Sequence, residues 1–430
     1  MVATDDARVD LRLRIPRRGY LPRDRTSARG SLLNALYVIH YPTFGGPHNI
    51  ALRLAAPLAE NGWCLSVLLP QEPGNAAQRL RDANLDVLQI PLHRVRARIN
   101  PIVAFRTLTG GAGDVARIRS VIREKNIDLV VLTGLINPQA AIAASQERVA
   151  MVWQLVDTRT PLLANALLML LVKRFADALM TTGSEMVARA HPGARSFGNR
   201  IFPFFPPVDV TAFSPDESKR VAARRSLGLH PNQVVVGNAS NITPQKGHRT
   251  FIKAAAKLRK THPEIRFVIL GPSYSQHAEY EARLRRYAKA LGFRVGDDLL
   301  ILDPGAGYPD LVRAFDVFWL TSEPRSEGTP TVIQDAMALG IPVVSVNVGA
   351  VSEIVVAGET GILVAPLAAE AMARETAGLI DNPARRRAMG DAARRWAVEH
   401  YSTSACAAAH LKAFSSAVTR HDTSAGVSNR

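Results

Sequence analysis

Residues 322–366 read SEPRSEGTPTVIQDAMALGIPVVSVNVGAVSEIVVAGETGILVAP. The stretch follows VFWL (317–320), a short run apolar on both faces, which is the pattern of a strand buried on both sides. Glu327-Gly328-Thr329-Pro330 then opens a helix: Thr329 suits the N-cap, Pro330 the first helical position, and Gly340 the C-terminal stop. Val332, Ile333, Ala336 and Met337 give that helix an apolar face, and Asp335 lies off it. VVSV (343–346) and GILV (361–364) repeat the buried-strand pattern. A strand, a helix and a strand in this order point to a parallel sheet covered on both faces.

The same alternation extends in both directions. Upstream lie VVVGN (234–238), FVILG (267–271) and LLILD (299–303), with helical patterns over 249–261 and 279–291. Further toward the N-terminus lie LYVIH (36–40), LSVLL (65–69), DVLQI (86–90), LVVLT (129–133), VWQLV (152–156) and ALMTT (178–182), with helical patterns over 50–61 and 115–125. FPFFPPVDV (202–210) interrupts the series; Pro203, Pro206 and Pro207 disfavour helix and stiffen the chain, so an interdomain linker is expected there. The fold class is therefore α/β, with two open parallel-sheet domains in series rather than a barrel. The expected boundaries are a basic flexible tail over 1–30, domains over 31–205 and 206–400, a C-terminal helix over 401–418 that returns to the N-terminal domain, and a disordered tail over 419–430. Residues 384–414 read as helical.

The chain has 430 residues, 47% of them apolar and 21% charged, which excludes global disorder and a small disulfide scaffold. Lys and Arg number 53 against 37 Asp and Glu, a net charge of +16 that favours anionic partners. Eight Arg and four Asp fall in residues 1–30. The two cysteines, Cys64 and Cys406, lie far apart and form no metal-ligand pattern, which fits a reducing compartment. Asp5 and Asp6 and the lack of an apolar core argue against a secretory signal. The longest apolar run, PLLANALLMLLV (161–172), falls short of the roughly 20 residues that span a bilayer. A cytoplasmic protein is expected, soluble or peripheral at the inner face of the plasma membrane. The basic stretch HRVRARINPIVAFRTL (93–108) and the run 161–172 suit docking on an anionic membrane; a solvated basic face and a buried core helix explain them equally.

Three segments carry candidate chemistry. At 327–331 a strand end, a glycine turn and a helix N-terminus converge, so free backbone N–H groups and the helix dipole suit a diphosphate. Glu327 and Asp335 flank that site, and an acid beside a phosphate is sensible when it accepts from sugar or ribose hydroxyls; a surface loop acid at Glu327 and a solvated helix residue at Asp335 explain the pair equally. In VVVGNASNITPQKGHRTFIKAA (234–255) a strand runs into a polar loop with Lys246-Gly247 just before a helix, where the lysine can point at phosphate, though taken alone a solvated lysine explains the pattern better. In HYPTFGGPHNIALRLAAPLAENG (40–62) the pair Gly45-Gly46 permits close backbone approach to a ligand. A G-x-G-x-x-G fingerprint is absent there, which weakens a dinucleotide reading.

Together these segments resemble the retaining glycosyltransferases of family 4, with the GT-B fold of two Rossmann-like domains facing across a cleft. The resemblance spans roughly residues 32–415 and is strongest over 234–366. It implies transfer of a sugar from a nucleotide-sugar donor, UDP- or GDP-linked, to a glycan, lipid-linked or small-molecule acceptor in cell-envelope or exopolysaccharide biosynthesis, with no metal ion or other cofactor. It assigns Lys246 to the donor diphosphate, Glu327 to the donor sugar as the first acid of an E-x7-E motif, and Asp335 to the ribose as its second. It assigns the amides of Gly45 and Gly46 and of Gly328 and Thr329 to the donor. The family's usual Arg five residues before the lysine is Asn241 here, and Arg325 is the candidate replacement. The usual active-site histidine of the N-terminal domain is not evident; Asp157 stands nearby, as an acceptor-side group or as a helix cap. No D-x-D triplet occurs, which fits protein groups rather than Mg²⁺ carrying the diphosphate charge. A nucleotide-sugar epimerase or phosphorylase is the alternative on the same fold. A nucleic-acid binder is disfavoured, since the chain lacks a recognised binding signature.

Overall fold

Two parallel sheets organise the chain in the computed structural model, which describes residues 32–93, 101–135, 137–156, 162–183, 185–272, 275–324 and 327–428. The first sheet contains β1 (Leu33–Val38), β2 (Trp63–Pro70), β3 (Asp86–Ile90), β4 (Leu129–Thr133), β5 (Ala150–Leu155), β6 (Ala178–Thr182) and β7 (Ile201–Phe204), in the order β3-β2-β1-β4-β5-β6-β7. The second contains β8 (Val235–Ala239), β9 (Arg266–Leu270), β10 (Leu299–Leu302), β11 (Val317–Leu320), β12 (Val343–Val346) and β13 (Gly361–Val364), in the order β10-β9-β8-β11-β12-β13. Every strand pairing within them is parallel. The central strands β4, β5, β8, β11 and β12 are buried along their whole length. Helices cover both faces of such a sheet, so these strands are rich in Val, Ile and Leu instead of alternating in polarity.

The order reverses between β1 and β4 in one sheet and between β8 and β11 in the other. Chain crossovers leave in opposite directions at these points and open a crevice at the carboxyl ends of the strands. The loops that follow β1, β8 and β11 start there.

The chain divides into two compact units. One holds the described residues up to Thr182, with Val187–Phe204 and the chain from Ala407; the other holds Gly183–Met186 and Phe205–Cys406. In the first unit the C-terminal helix packs on the sheet through His410, Ala413, Phe414 and Ala417, all fully buried. Phe414 meets Trp63 edge-on at 5.1 Å, and His410 bonds Gln154 of β5 at 2.9 Å.

Two sequence expectations are corrected and one is refined. Residues 202–204 belong to β7, not to a linker: β7 is an edge strand on β6, where a proline such as Pro203 is tolerated. The helical stretch expected over 384–414 is two helices, Pro383–Tyr401 and Thr403–Ser428. Ser402 between them is extended (φ −62°, ψ 157°) and bridges to Val208, whose N–H donates to Tyr401 O at 2.7 Å. Finally, the residues from 419, expected to be disordered, continue that helix to Ser428. The tail expected over 1–30 lies outside the described residues.

Candidate active site

The site of the second unit is built on the loops that leave β8, β11 and β12. The β8–β11 junction is tied by a buried chain of polar groups. Asn238 Nδ2 donates to Trp319 O at 2.7 Å, and Ser240 Oγ donates to Asn238 Oδ1 at 2.7 Å. Ser240 has thereby used its one proton, so the 3.1 Å contact to His248 Nε2 has the imidazole N–H donating to the hydroxyl. Burial drives the His248 pKa down to about 4, against the raising influence of the Thr243 backbone carbonyl, so the ring is neutral at physiological pH.

Between Ser240 and His248 the chain turns tightly through Pro244–Lys246 and passes Gly247 at φ 64° into the helix His248–Leu258. Gly247 is required twice over. Its φ is left-handed, and a Cβ there would fall 1.8 Å from Thr321 O. The Thr321 hydroxyl donates to Lys246 O at 3.1 Å, and Glu323 N donates to Gln245 O at 2.9 Å. The loop after β11 is thus zipped to the lysine turn.

That contact brings Lys246 and Glu327 together. Lys246 Nζ lies 2.6 Å from Glu327 Oε1, and the Ser322 hydroxyl donates to the same oxygen at 2.5 Å. Glu327 is 9% exposed, whereas the Lys246 side chain keeps 25% of its surface. The lysine can therefore reach a ligand that the carboxylate meets from beneath. From the other side the loop after β12 clamps the turn: Ala350 N donates to Gly328 O at 2.9 Å, and Gly349, at φ 58°, has room for no Cβ, which would lie 2.7 Å from both Glu327 O and Gly328 O. Ser322 and Gly349 were not singled out in the sequence. Ser322 carried a signal, five residues before the acid on the same loop; Gly349 was one glycine among 29.

The helix itself runs over Thr331–Ala338 with Pro330, not Thr329, at its N-cap. Thr329 stands one residue too early to cap it, and its Oγ1 is buried without a partner. Gly340 ends the helix as expected: at φ 71° it lets Ile341 N reach Ala336 O at 3.0 Å and its own N–H reach Met337 O at 2.9 Å. Asp335 is not a simply solvated residue, since the Tyr308 hydroxyl donates to its Oδ2 at 2.9 Å. Burial first, and the Asp335 charge second, push the Tyr308 phenol well above its usual pKa, so it stays a donor. Asn241 is exposed on the loop after β8. Arg325 and Asp157 lie outside the described residues.

Gly45 and Gly46 belong to the first unit, where they start the helix Gly46–Glu60 after β1. Gly45 is extended, and a Cβ on either glycine would meet nothing within 4 Å. Neither backbone strain nor packing within the unit demands glycine there, so the space above the pair is open. The loop is fixed instead by His48, which the sequence reading did not single out. Gly45 N donates to His48 Nδ1 at 3.1 Å, and His48 Nε2 lies 2.9 Å from Tyr41 O, so the ring is neutral with its proton on Nε2. Burial lowers its pKa, against a raising backbone bond to Tyr41.

Residues 219–396, which span this turn-and-lysine site, match the family model described as glycosyl transferases group 1. That stretch is similar to the group 1 glycosyl transferases. A lipopolysaccharide core biosynthesis mannosyltransferase of Rhizobium meliloti is 33% identical over 178 residues, which is 41% of this chain and 49% of that protein. A GDP-mannose-dependent alpha-(1-6)-phosphatidylinositol monomannoside mannosyltransferase of Mycolicibacterium smegmatis is 32% identical over 203 residues, or 46% of this chain and 51% of that protein. The chain thus spans about half the length of the curated relatives it matches. Among solved structures, that of Anabaena HepE in complex with UDP superposes with a TM-score of 0.75 at 22% identity, covering 89% of this chain and 100% of that one. The likeness extends the GT-B fold to both units around the group 1 domain.

Proposed function

We propose that the chain is a retaining, metal-independent glycosyltransferase that moves a hexose from a UDP- or GDP-sugar to a glycan or lipid-linked acceptor of cell-envelope or exopolysaccharide biosynthesis. The observation that carries the reading is the 2.6 Å contact of Lys246 with Glu327 at the mouth of the group 1 domain's sheet. Two opposite charges at the carboxyl ends of a buried parallel sheet suit a ligand that is anionic at one end and hydroxyl-rich at the other. The names of the relatives support the sugar class, since two are mannosyltransferases acting in lipopolysaccharide or phosphatidylinositol chemistry.

When the donor binds, its diphosphate takes Lys246 away from Glu327, and the sugar hydroxyls donate to the carboxylate in turn. Breaking the anomeric bond builds negative charge on the departing diphosphate. Lys246, the N–H groups at the start of the Thr331–Ala338 helix, the amides of Gly328 and Thr329, and Arg325 meet that charge. Thr329 Oγ1, buried and unpartnered, is a further donor for it. Asp335, steadied by Tyr308, accepts from the ribose. The open space over Gly45 and Gly46 suits backbone approach to the diphosphate, and Asp157 assists the acceptor hydroxyl.

A thermal-shift screen against UDP- and GDP-sugars, followed by transfer assays, tests the reading. One donor should raise the melting temperature of the wild type and leave Lys246→Ala unmoved. No shift with any nucleotide sugar would sink the proposal. Sugar release or epimerisation without acceptor would turn it toward the alternative chemistry.

A further inference from the structure

The helix Leu162–Phe175 contains no acidic residue and ends in Lys173-Arg174. Its inner side is Asn165, Met169 and Val172, all buried. Ala166, Leu167, Leu170, Lys173 and Arg174 are exposed. At 100° per residue these five lie within one arc of about 120°, opposite the buried stripe. Leu167 and Leu170 are 66% and 62% exposed, the two most exposed large apolar side chains among the described residues. The run was open to reading as a buried core helix; about a third of its girth instead faces outward.

Two large leucines one turn apart, with two cations on the next turns of the same face, form a surface that water solvates poorly and an anion attracts. The surroundings add charge of the same sign. Asn165 Nδ2 donates to Ala190 O at 2.8 Å, and the Lys173 ammonium stands over Gly193, so the segment carrying exposed Arg189 and Arg195 packs beside this face. Fourteen residues of helix rise about 21 Å, too little to cross a hydrocarbon core of about 30 Å. No helix among the described residues is long and apolar enough to cross a membrane. A helix of this kind lies in the plane of the interface, with leucines in the acyl boundary and cations at the headgroups.

We propose that the outer face of the Leu162–Phe175 helix docks the chain on an anionic lipid bilayer. A second copy of the chain is a worse occupant, since it brings the same cations and a net charge of +16 against them. The basic stretch 93–108 contributes nothing to this inference, because residues 94–100 lie outside the described residues.

The experiment is sedimentation of the full chain with phosphatidylcholine vesicles, with and without phosphatidylglycerol. The wild type should sediment with the anionic vesicles only, and rising salt should release it. Leu167→Gln/Leu170→Gln should weaken binding by about tenfold per leucine, and Lys173→Gln/Arg174→Gln by about fivefold per cation. All four side chains are exposed, so the variants should keep the wild-type melting temperature. Val398→Gln, which alters an exposed apolar residue of the other unit, should bind as the wild type does. The proposal is overturned if the wild type ignores anionic vesicles. It is overturned equally if the double-leucine variant sediments unchanged, which would put binding elsewhere in the chain. Concentration-dependent dimerisation abolished by the leucine changes would assign the face to self-association instead. Because binding is read without turnover, the result is independent of the donor reading.

Discussion

The buried carboxylate of Glu327 has two partners, Lys246 and Ser322, and its dependence on the lysine separates a structural role from a functional one. Lys246→Ala leaves a buried charge with a hydroxyl alone, which should cost about 3 kcal/mol of stability and, if the lysine meets the diphosphate, at least about a hundredfold in transfer rate. Lys246→Ala/Glu327→Gln removes both charges. Thermal unfolding should show most of the lost stability restored, while kinetics should show transfer still absent. Recovery of both together would make the pair a structural strut. The histidines beside the site give a pH test. His248 has a folded pKa of about 4 against an unfolded 6.5, so below pH 6.5 the unfolded chain takes up a proton that the folded one refuses. Stability should fall as pH drops from 6.5 toward 4, by up to about 3 kcal/mol, and should be unaffected by this residue above 6.5. Denaturant titrations of His248→Gln should show a flatter acid limb; an unchanged limb would mean that other groups set it. At this scale the sequence showed which residues carry charge near a phosphate-binding turn, because acids, lysines and glycines have few reasons to adjoin there. It hid His48 and Tyr308, whose roles are bonds to partners 3 and 27 residues away that only the folded chain assembles.

Among the elements, the strands were legible because each is a short run apolar on both faces, and twelve of the thirteen were read in place. β7 escaped because its prolines signal a linker; only its position on the sheet edge makes Pro203 harmless. The loops were less legible. Their shape comes from one backbone pressing on another, as where Gly349 lies under the Glu327–Gly328 peptide. Gly349→Ala must displace that turn and adopts a left-handed φ, a cost of about 1–3 kcal/mol. The turn, not the sheet, should give way, so the melting temperature should fall modestly while the donor KM rises severalfold. Gly247→Ala puts a Cβ 1.8 Å from Thr321 O, a deeper overlap with a carbonyl that holds the lysine turn. It should be the more damaging of the two. Equal and negligible effects on KM would show that neither loop shapes the donor site.

For the whole molecule, the C-terminal helix is the element that joins the most distant parts of the chain. It leaves the second unit at Cys406 and spends the rest of its length in the first. There Phe414 is enclosed by Tyr37, Trp63 and His410, and His410 partners the buried Gln154. Its weak amphipathic signal comes from alanines and serines that pack closely without looking apolar. The sheet of the first unit therefore depends on residues more than 250 positions away in the chain, as the Gln154–His410 bond illustrates. Phe414→Ala should cost about 3–5 kcal/mol, and a chain ending at Cys406 should lose far more, since Trp63, Tyr37 and Gln154 would all face water. The second unit keeps its own core and loses only residues outside it. Limited proteolysis and calorimetry of the shortened chain should show residues 32–204 cleaved rapidly while a thermal transition from the group 1 domain persists. If both units melted together as in the full chain, the helix would be an accessory and the first sheet would stand without it.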